Sequence, residues 1–394
     1  MSLILTVNGG SSSLKCAVFS RHEEHEACLY RFKLGNILND AKMTVYSGSG
    51  QKLEKHQLQL DNVGPEERHQ ACLDRVIHWV HTQLPDCRLS AFGHRVVHGG
   101  DTFSQPVIVT PMIMAQLKQL IPLAPLHQPY NLKLIEACQQ LEPELPQIVC
   151  FDTMFHAGQP AVERHYAIPR EFTEAGIQKY GFHGLSYEFI QQSLQALDQD
   201  CSDKNTIICH LGAGASMCAV KNGRSIASTM GFTAVDGLPM GSRCGNLDPG
   251  VLLYLQRHYH MDADQLERFL YKQSGWLGVS GISSDMLELH HSDKPEAEEA
   301  IAMFCYRAAL EVGRLSAALQ GLEQLVFTGG VGENDADVRQ RICEQLRWMG
   351  IELDAAANDA NNDVISHADS RITVRVIPTN EEAMIALHIE ELLA

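Results

Sequence analysis

The feature that most constrains this chain is a strand–turn–strand unit that occurs twice. Leu3 to Val7 is an apolar run, Asn8-Gly9-Gly10-Ser11-Ser12-Ser13 a turn of small residues, and Leu14 to Phe19 a second run rich in β-formers. A third strand, Cys28 to Leu34, follows a charged turn with Glu23, Glu24, His25 and Glu26, completing a meander. The order returns later: Thr206 to His210 as a strand, Gly212 to Ser216 as the turn, Met217 to Lys221, the hairpin turn Asn222-Gly223, and Arg224 to Thr229. At an offset of 202, Gly10 meets Gly212 and Cys16-Ala17-Val18 meets Cys218-Ala219-Val220. Identity and order together read as an internal duplication, each half supplying one wall of a cleft.

Around the meanders the apolar pattern turns helical, with Leu73, Val76, Ile77, Val80 and Leu84 at helical spacing and similar stretches near 131–141, 187–197, 249–258 and 296–320. Leu325 to Thr328 and Val374 to Ile377 read as buried strands; a helix is expected at 336–348 and another from Glu381 onward. At about 150 residues per domain, 394 residues make two or three domains. No run approaches the roughly 18 apolar residues of a membrane span, and Leu3 to Val7 is too short for a secretory h-region. The net charge of −17 argues against a nucleic-acid binder, whose affinity rests on clustered basic residues. None of the twelve cysteines forms a C-x-x-C pair, and several sit in strand-like runs, so all are expected as reduced thiols in a cytoplasmic protein.

Three glycine-rich segments expose backbone N–H groups of the kind that bind anions: Asn8 to Lys15, Gly212 to Ser216, and Gly329-Gly330-Val331-Gly332 between a strand and a helix. The first is not a Walker A loop, because a strand follows it. Any one of them has an ordinary turn as its alternative; three, two of them from a duplicated unit, point to a nucleotide held between similar domains. Gly93-His94-Arg95-Val96-Val97-His98 places an arginine in an apolar run, which needs either a bound anion or a carboxylate partner. His94 and His98 stand four apart, a metal spacing on a helix, but the run reads as a strand. Asp152 at a strand end suits Mg²⁺ or proton handling, or a helix N-cap. His183 lies among glycines and aromatics, either packed or reactive. Arg243 sits in a glycine-bordered loop, and Glu381-Glu382 open a helix whose dipole favours acids. Together these groups suit phosphoryl transfer, where cations offset the charge on the moving group.

The strings NGGSSSLK (8–15), GHRVVHGG (93–100), LAPLHQP (123–129), FDTMFH (151–156), YGFHGLS (180–186), HLGAGAS (210–216), MGSRCGNLDP (240–249), SGWLGVSGISSD (274–285), FTGGVGEN (327–334) and IPTNEE (377–382) resemble the acetate/propionate kinase family, in family order from end to end. The resemblance implies an α/β fold of two duplicated actin-like (ribonuclease H-like) domains around a central cleft. The first would span 1–153, completed by a helix at about 383–394, and the second 154–382. It implies reversible phosphoryl transfer from ATP to acetate, with Mg²⁺ or Mn²⁺, in a cytoplasmic homodimer that binds no nucleic acid and no membrane. By similarity, Arg95 and Arg243 hold the carboxylate and the transferring phosphoryl group, His183 stabilises the transition state, and Asp152 is the acid/base or positioning carboxylate. Asn8 and Glu381 belong to the metal site, with Asn8, Ser11 and Ser13 in the first phosphate loop. Lys15, His210, Leu211, Gly212, Ala213, Gly214, Asp285, Met286, Leu287, Gly330, Val331, Gly332, Glu333 and Asn334 line the nucleotide. Val97, Leu126 and Phe182 form the pocket for the acetate methyl group.

An acetate carboxylate is already ionised at neutral pH, its ordinary pKa being about 4. It needs relief of anion repulsion rather than a strong base, which favours direct in-line transfer and a charge-positioning Asp152. Three positions depart from the family: Ala213 stands where most relatives carry asparagine, Leu287 where most carry arginine, and Ala234 where proline is common. The small Gly330-Val331 leaves room for adenosine, against a pyrophosphate-only donor. The rival readings are the same chemistry on propionate or butyrate, a nucleotide-dependent binding module on the same superfold, and a sugar kinase. The module has no use for Arg95 with Arg243, and the sugar kinase would want a base for a hydroxyl.

Overall fold

The computed structural model describes residues 1–10, 13–21, 28–65, 67–197 and 199–394. Ser11, Ser12 and the charged turn Glu23 to Glu26 lie outside them. The chain forms two compact units, one of residues 1–154 with 380–394 and the other of residues 155–379.

In the first unit, β1 (Ser2–Gly9), β2 (Leu14–Arg21) and β3 (Cys28–Gly35) form the antiparallel meander. Two strands the sequence reading did not anticipate extend it, β4 (Lys42–Ser47) and β5 (Lys52–Gln57). On the other side, β6 (Arg88–Val96) runs parallel to β1 and β8 (Gln147–Phe151) parallel to β6, with β7 (Val107–Ile108) antiparallel at the edge. The order is β5-β4-β3-β2-β1-β6-β8-β7. β1 is buried nearly throughout, as a strand covered on both faces must be. On one face Leu3, Leu5 and Val7 pack with Leu73, Val76 and Trp79 of the helix Arg68–Gln83 and Leu134 and Cys138 of the helix Gln128–Leu141. On the other, the C-terminal helix Glu381–Leu393 lies so close to Gly93 that a Cβ there would stand 2.4 Å from both Ile385 and Ile389.

The second unit repeats the plan. β9 (Thr206–His210), β10 (Ser216–Lys221) and β11 (Arg224–Ser228) form the meander, while β12 (Gln324–Thr328) and β13 (Thr373–Val376) add parallel strands, giving β11-β10-β9-β12-β13. This is the order and sense of β3-β2-β1-β6-β8, so the duplication read from two short turns extends through five strands. Tyr187, Ile190 and Leu194 of the helix Gly184–Leu197 pack on Ile208, Cys218 and Val326. The 25-residue helix Pro295–Leu319 buries a stripe from Ala297 to Leu319. No disulfide joins any of the twelve cysteines.

Two expectations need correction. Gly329-Gly330-Val331-Gly332 is not an open loop but the start of a short helix, Gly329–Asn334, because the Val331 and Gly332 N–H groups both donate to the Leu211 carbonyl (2.8 and 3.1 Å). The helix expected at 336–348 ends at Glu344, and a separate 3₁₀ turn covers Arg347–Met349.

Candidate active site

In each unit the reactive residue types gather where parallel strands end, the place at which open α/β sheets expose side chains and backbone to ligands. In the first unit Asn8 lies near the end of β1, Arg95 in β6, and Asp152 one residue beyond β8, with its N–H donating to the Val96 carbonyl. Arg95 donates from Nε to Asp152 Oδ1 (2.7 Å), from Nη2 to Asp152 Oδ2 (2.6 Å) and from Nη1 to Asn8 Oδ1 (3.0 Å). Glu381, the first residue of the C-terminal helix, brings Oε2 within 3.8 Å of Arg95 Nε. The Asn8 amide donates to Glu381 Oε2 (3.0 Å) and Glu382 Oε1 (3.2 Å).

Burial alone would lower the Arg95 pKa, but Asp152 and Glu381 raise it above the ordinary arginine value. Burial pushes the Asp152 carboxyl up, and the Arg95 charge opposes this. Both carboxylate oxygens already accept a guanidinium N–H, so we assign an ionic pair at neutral pH. Of the two alternatives for Arg95, the carboxylate partner is the one seen, in a cluster that leaves the arginine side chain about one-fifth exposed.

The donor set fits Mg²⁺, which takes hard oxygen ligands, keeps several waters and uses one or two carboxylates with substrate phosphates. Glu381, Glu382 and the Asn8 carboxamide offer that chemistry. Among the described residues no group of three His, Cys, Asp or Glu side chains forms a protein-only metal cage. Of the two histidines, His94 follows the strand reading, lying in β6 with its Nε2 bonded to Gln147 Oε1 at 2.6 Å and its pKa lowered to about 4 by burial, whereas His98 lies two residues beyond the end of that strand. Of the remaining expected residues here, Ser13 accepts the Gly10 N–H on its carbonyl, Lys15 is exposed on β2, Val97 is buried and Leu126 half-buried.

In the second unit His183 has φ +57°, a left-handed conformation uncommon for a non-glycine residue and retained where surroundings over-determine it. Its Nδ1 bonds Ser216 Oγ at 2.8 Å, and its ring stacks on His210 with centroids 4.3 Å apart. His210 Nδ1 is held in turn by Ser186 Oγ at 2.8 Å. A Cβ on Gly214 would lie 3.6 Å from His183 Nε2 and 3.8 Å from Arg243 Nη1, so both groups approach one glycine. Arg243 Nη1 also donates to the Ala234 carbonyl (3.0 Å). Phe182 is buried, its carbonyl facing His156 Nε2 at 3.0 Å.

Beside these groups a cavity of about 510 Å³ is lined by Gly212, Ala213, Asp285, Met286, Leu287, Gly330, Val331 and Asn334. The family resemblance grouped those eight residues from three separate segments. The cavity also takes in Trp276, Ser284, His290, Asp335, Ala336 and Asp337, which it missed. Other expected nucleotide residues hold the walls from behind: the Leu211 carbonyl anchors the Gly329–Asn334 helix, and Glu333 Oε1 accepts the N–H groups of Gly329 (2.9 Å) and Thr379 (3.1 Å). Arg339, fully buried and equally missed, donates to the Gly332 carbonyl at 3.0 Å and to Asn358. Its position in an amphipathic helix gives no warning of this. Leu287 is 64% exposed, where an arginine would have been the expected residue.

Known proteins match the chain at full length. The model of the acetokinase family aligns with residues 3–387. A protein named acetate kinase from Rhodopseudomonas palustris is 49% identical over 393 residues, covering 98% of this chain and 97% of the relative. Among solved structures, a propionate kinase from Francisella tularensis superposes with a TM-score of 0.89 at 36% identity, covering 98% of this chain and 99% of that one. Acetate kinase from Porphyromonas gingivalis gives 0.87 at 34% identity, covering both chains completely. With that coverage, and the same folded pattern under the matching segments, the chain belongs to the acetokinase family.

Proposed function

We propose that this enzyme is an acetate kinase, transferring the terminal phosphoryl group of ATP reversibly to acetate to give acetyl phosphate and ADP by direct in-line attack. The observation that carries the reading is His183 and Arg243 converging on Gly214, next to a cavity sized for a nucleotide. A proton donor and a guanidinium at one point, served by backbone N–H groups, suit a phosphoryl group gaining charge on its equatorial oxygens.

In this reading the 510 Å³ cavity takes the nucleoside, and the turns at Gly212–Gly214 and Gly330 hold its phosphates. Arg95 binds the acetate carboxylate beside Val97 and Leu126, held in position by Asp152. Asp152 acts through Arg95 rather than as a base, since its two oxygens are already engaged and acetate brings no proton to remove. Glu381, Glu382 and Asn8, with solvent, would hold Mg²⁺, which would supply positive charge against phosphate oxygens.

The helix Pro249–Tyr259 supports a homodimer: it buries none of its residues and exposes Val251, Leu253 and Tyr254. Leu253→Glu with Tyr254→Glu should convert dimer to monomer on sedimentation. Twelve cysteines without a disulfide, and no helix among the described residues long and apolar enough to cross a membrane, agree with a cytoplasmic enzyme. Propionate is the second reading, favoured by the likeness to the Francisella tularensis enzyme. One methylene in an apolar pocket is worth only about 1–3 kcal/mol, so assay decides between the acids.

The test is hydroxamate trapping of acyl phosphate with Mg²⁺ATP and acetate, propionate or butyrate, with Arg243→Ala as control. Product led by acetate and lost in the variant is expected. Nucleotide binding without product from any acid would overturn the kinase in favour of a nucleotide-dependent binding module.

A further inference from the structure

Two groups outside the catalytic set decide which nitrogen of His183 carries the proton. Tyr187 is the first-turn residue of the helix that starts beside His183, and its N–H donates to the His183 carbonyl at 3.1 Å. Its side chain is fully buried, with the phenol oxygen against Ser216 Oγ and the ring edge-on to His156, 5.6 Å between centroids. Burial drives the Tyr187 pKa well above its ordinary value, so the phenol always has a proton to place. Among the described residues Ser216 Oγ is its hydrogen-bond partner, and Ser216 Oγ in turn has two partners, Tyr187 and His183 Nδ1.

The proton inventory then has one low-cost solution. A buried O–H without an acceptor is costly, so Tyr187 donates to Ser216. Ser216 has a single proton of its own and directs it to His183 Nδ1. That nitrogen is therefore an acceptor, and the ring proton sits on Nε2, the nitrogen that approaches Gly214. Reversing the chain would leave the Tyr187 proton with no acceptor.

We propose that Tyr187 and Ser216 are positioning residues that hold His183 as the neutral Nε2–H tautomer, so that it meets the transferring phosphoryl group as a hydrogen-bond donor. The inference rests on the reading of His183 as the group facing that phosphoryl. Of the titratable and charged groups around the ring, Arg243, beside the same glycine, opposes a second positive charge, and His210, stacked on the ring, has its own Nδ1 against Ser186 Oγ. His156, behind Tyr187, has its pKa lowered to about 4 by burial and is neutral.

Tyr187→Phe removes one oxygen from a packed ring and frees Ser216 to accept a proton from Nδ1. The neutral ring then divides between tautomers, and the Nδ1–H form turns a lone pair toward the phosphoryl oxygens. The expected cost is about three- to tenfold in kcat near neutral pH, the ratio one neutral hydrogen bond commands, with KM for ATP and acetate within about twofold. The deficit should shrink as pH falls, because imidazolium carries a proton on both nitrogens. A merely structural defect would not show that pH signature.

The experiment pairs these kinetics with ¹⁵N NMR of the ring nitrogens in histidine-labelled enzyme, His183 being assigned from the spectrum lost in His183→Ala. Support requires an Nε2–H signature in the unaltered protein, and in Tyr187→Phe a change of tautomer with the narrowing deficit at acid pH. An Nδ1–H or doubly protonated ring in the unaltered protein at neutral pH overturns the proposal without needing any variant to fold. So does a Tyr187→Phe enzyme with unchanged ring signals and a pH-independent rate. Failure of the underlying readings is separate: no acyl phosphate from the unaltered protein would sink the kinase, and production that survives His183→Ala would sink the role given to His183, whatever the ring signals.

Discussion

Replacing Asp152 by asparagine isolates what the Arg95 pair contributes. The carboxylate makes two charge-assisted hydrogen bonds, at 2.7 and 2.6 Å, each worth roughly 1.5–3 kcal/mol. Asparagine keeps one acceptor and turns an N–H toward the other guanidinium N–H, so one bond is lost and a mismatch created. Stranding a buried charge typically costs about 3–5 kcal/mol. Arg95 is not stranded, since Asn8 Oδ1 stays at 3.0 Å and the Glu381 carboxylate at 3.8 Å. The balance is a loss of about 2–3 kcal/mol, and at roughly 2–4 °C per kcal/mol for a unit of this size Tm should fall by about 5–10 °C. The released guanidinium should also raise KM for acetate and lower kcat by about 10–100-fold, the penalty for a misplaced binding group. Calorimetry and hydroxamate trapping on the same preparation measure both. A Tm within about 1 °C of the unaltered protein, alongside complete loss of activity, would refute the reasoning: Asp152 would then act chemically, not through Arg95.

Three further outcomes follow from particular contacts. Gly275 has φ +63°, and a Cβ there would stand 1.9 Å from the Met240 carbonyl oxygen and 2.7 Å from that of Arg243; Gly275→Ala should cost at least about 1–3 kcal/mol in unfolding titrations and lower kcat more than tenfold by displacing Arg243. His94 and His156 have pKa values lowered to about 4 by burial; below the ordinary value of 6.5 the unfolded chain takes up protons that the folded chain refuses. Each should therefore remove roughly 2 kcal/mol of stability between pH 7 and pH 5, and urea unfolding should show His156→Asn with a slope against pH shallower by about one proton. Ala213→Asn adds a donor at the cavity wall and should tighten ADP binding about two- to tenfold by titration calorimetry; unchanged affinity would mean that the side chain does not reach the phosphates.

Where function needs backbone, the sequence was transparent. Asn8, Gly212 and Gly330 stand near or beyond the ends of β1, β9 and β12, and glycine, asparagine and β-branched runs mark such places whatever surrounds them. Where function needs a partner distant in sequence, it was opaque. Arg95 reads equally as an anion binder or half of an ion pair, because the choice depends on β8 lying beside β6 and bringing Asp152 alongside. The Gly329–Asn334 turn looked like a loop because three glycines disfavour helix, yet the Leu211 carbonyl on the neighbouring strand supplies the bonds that wind it. β4 and β5 are polar on their outer faces and carry no turn motif as plain as Asn222-Gly223. Ser216 and Tyr187 left one faint trace, a tyrosine four residues after His183, which matters only once β10 delivers the serine.

The chain's return to its first unit also sets a timetable. Residues 380–394 close the sheet built from residues 1–154, and about 225 residues of the second unit are synthesised between them, a delay of roughly 10–45 s at ordinary ribosomal speeds. Through that interval the surface at Gly93 waits for Ile385 and Ile389, and Asn8 and Arg95 wait for Glu381. The second unit, made from one uninterrupted stretch, has no such wait. The half with the earlier start is therefore the last to finish, and a nascent chain stalled short of its final helix presents an uncovered β-sheet face to chaperones.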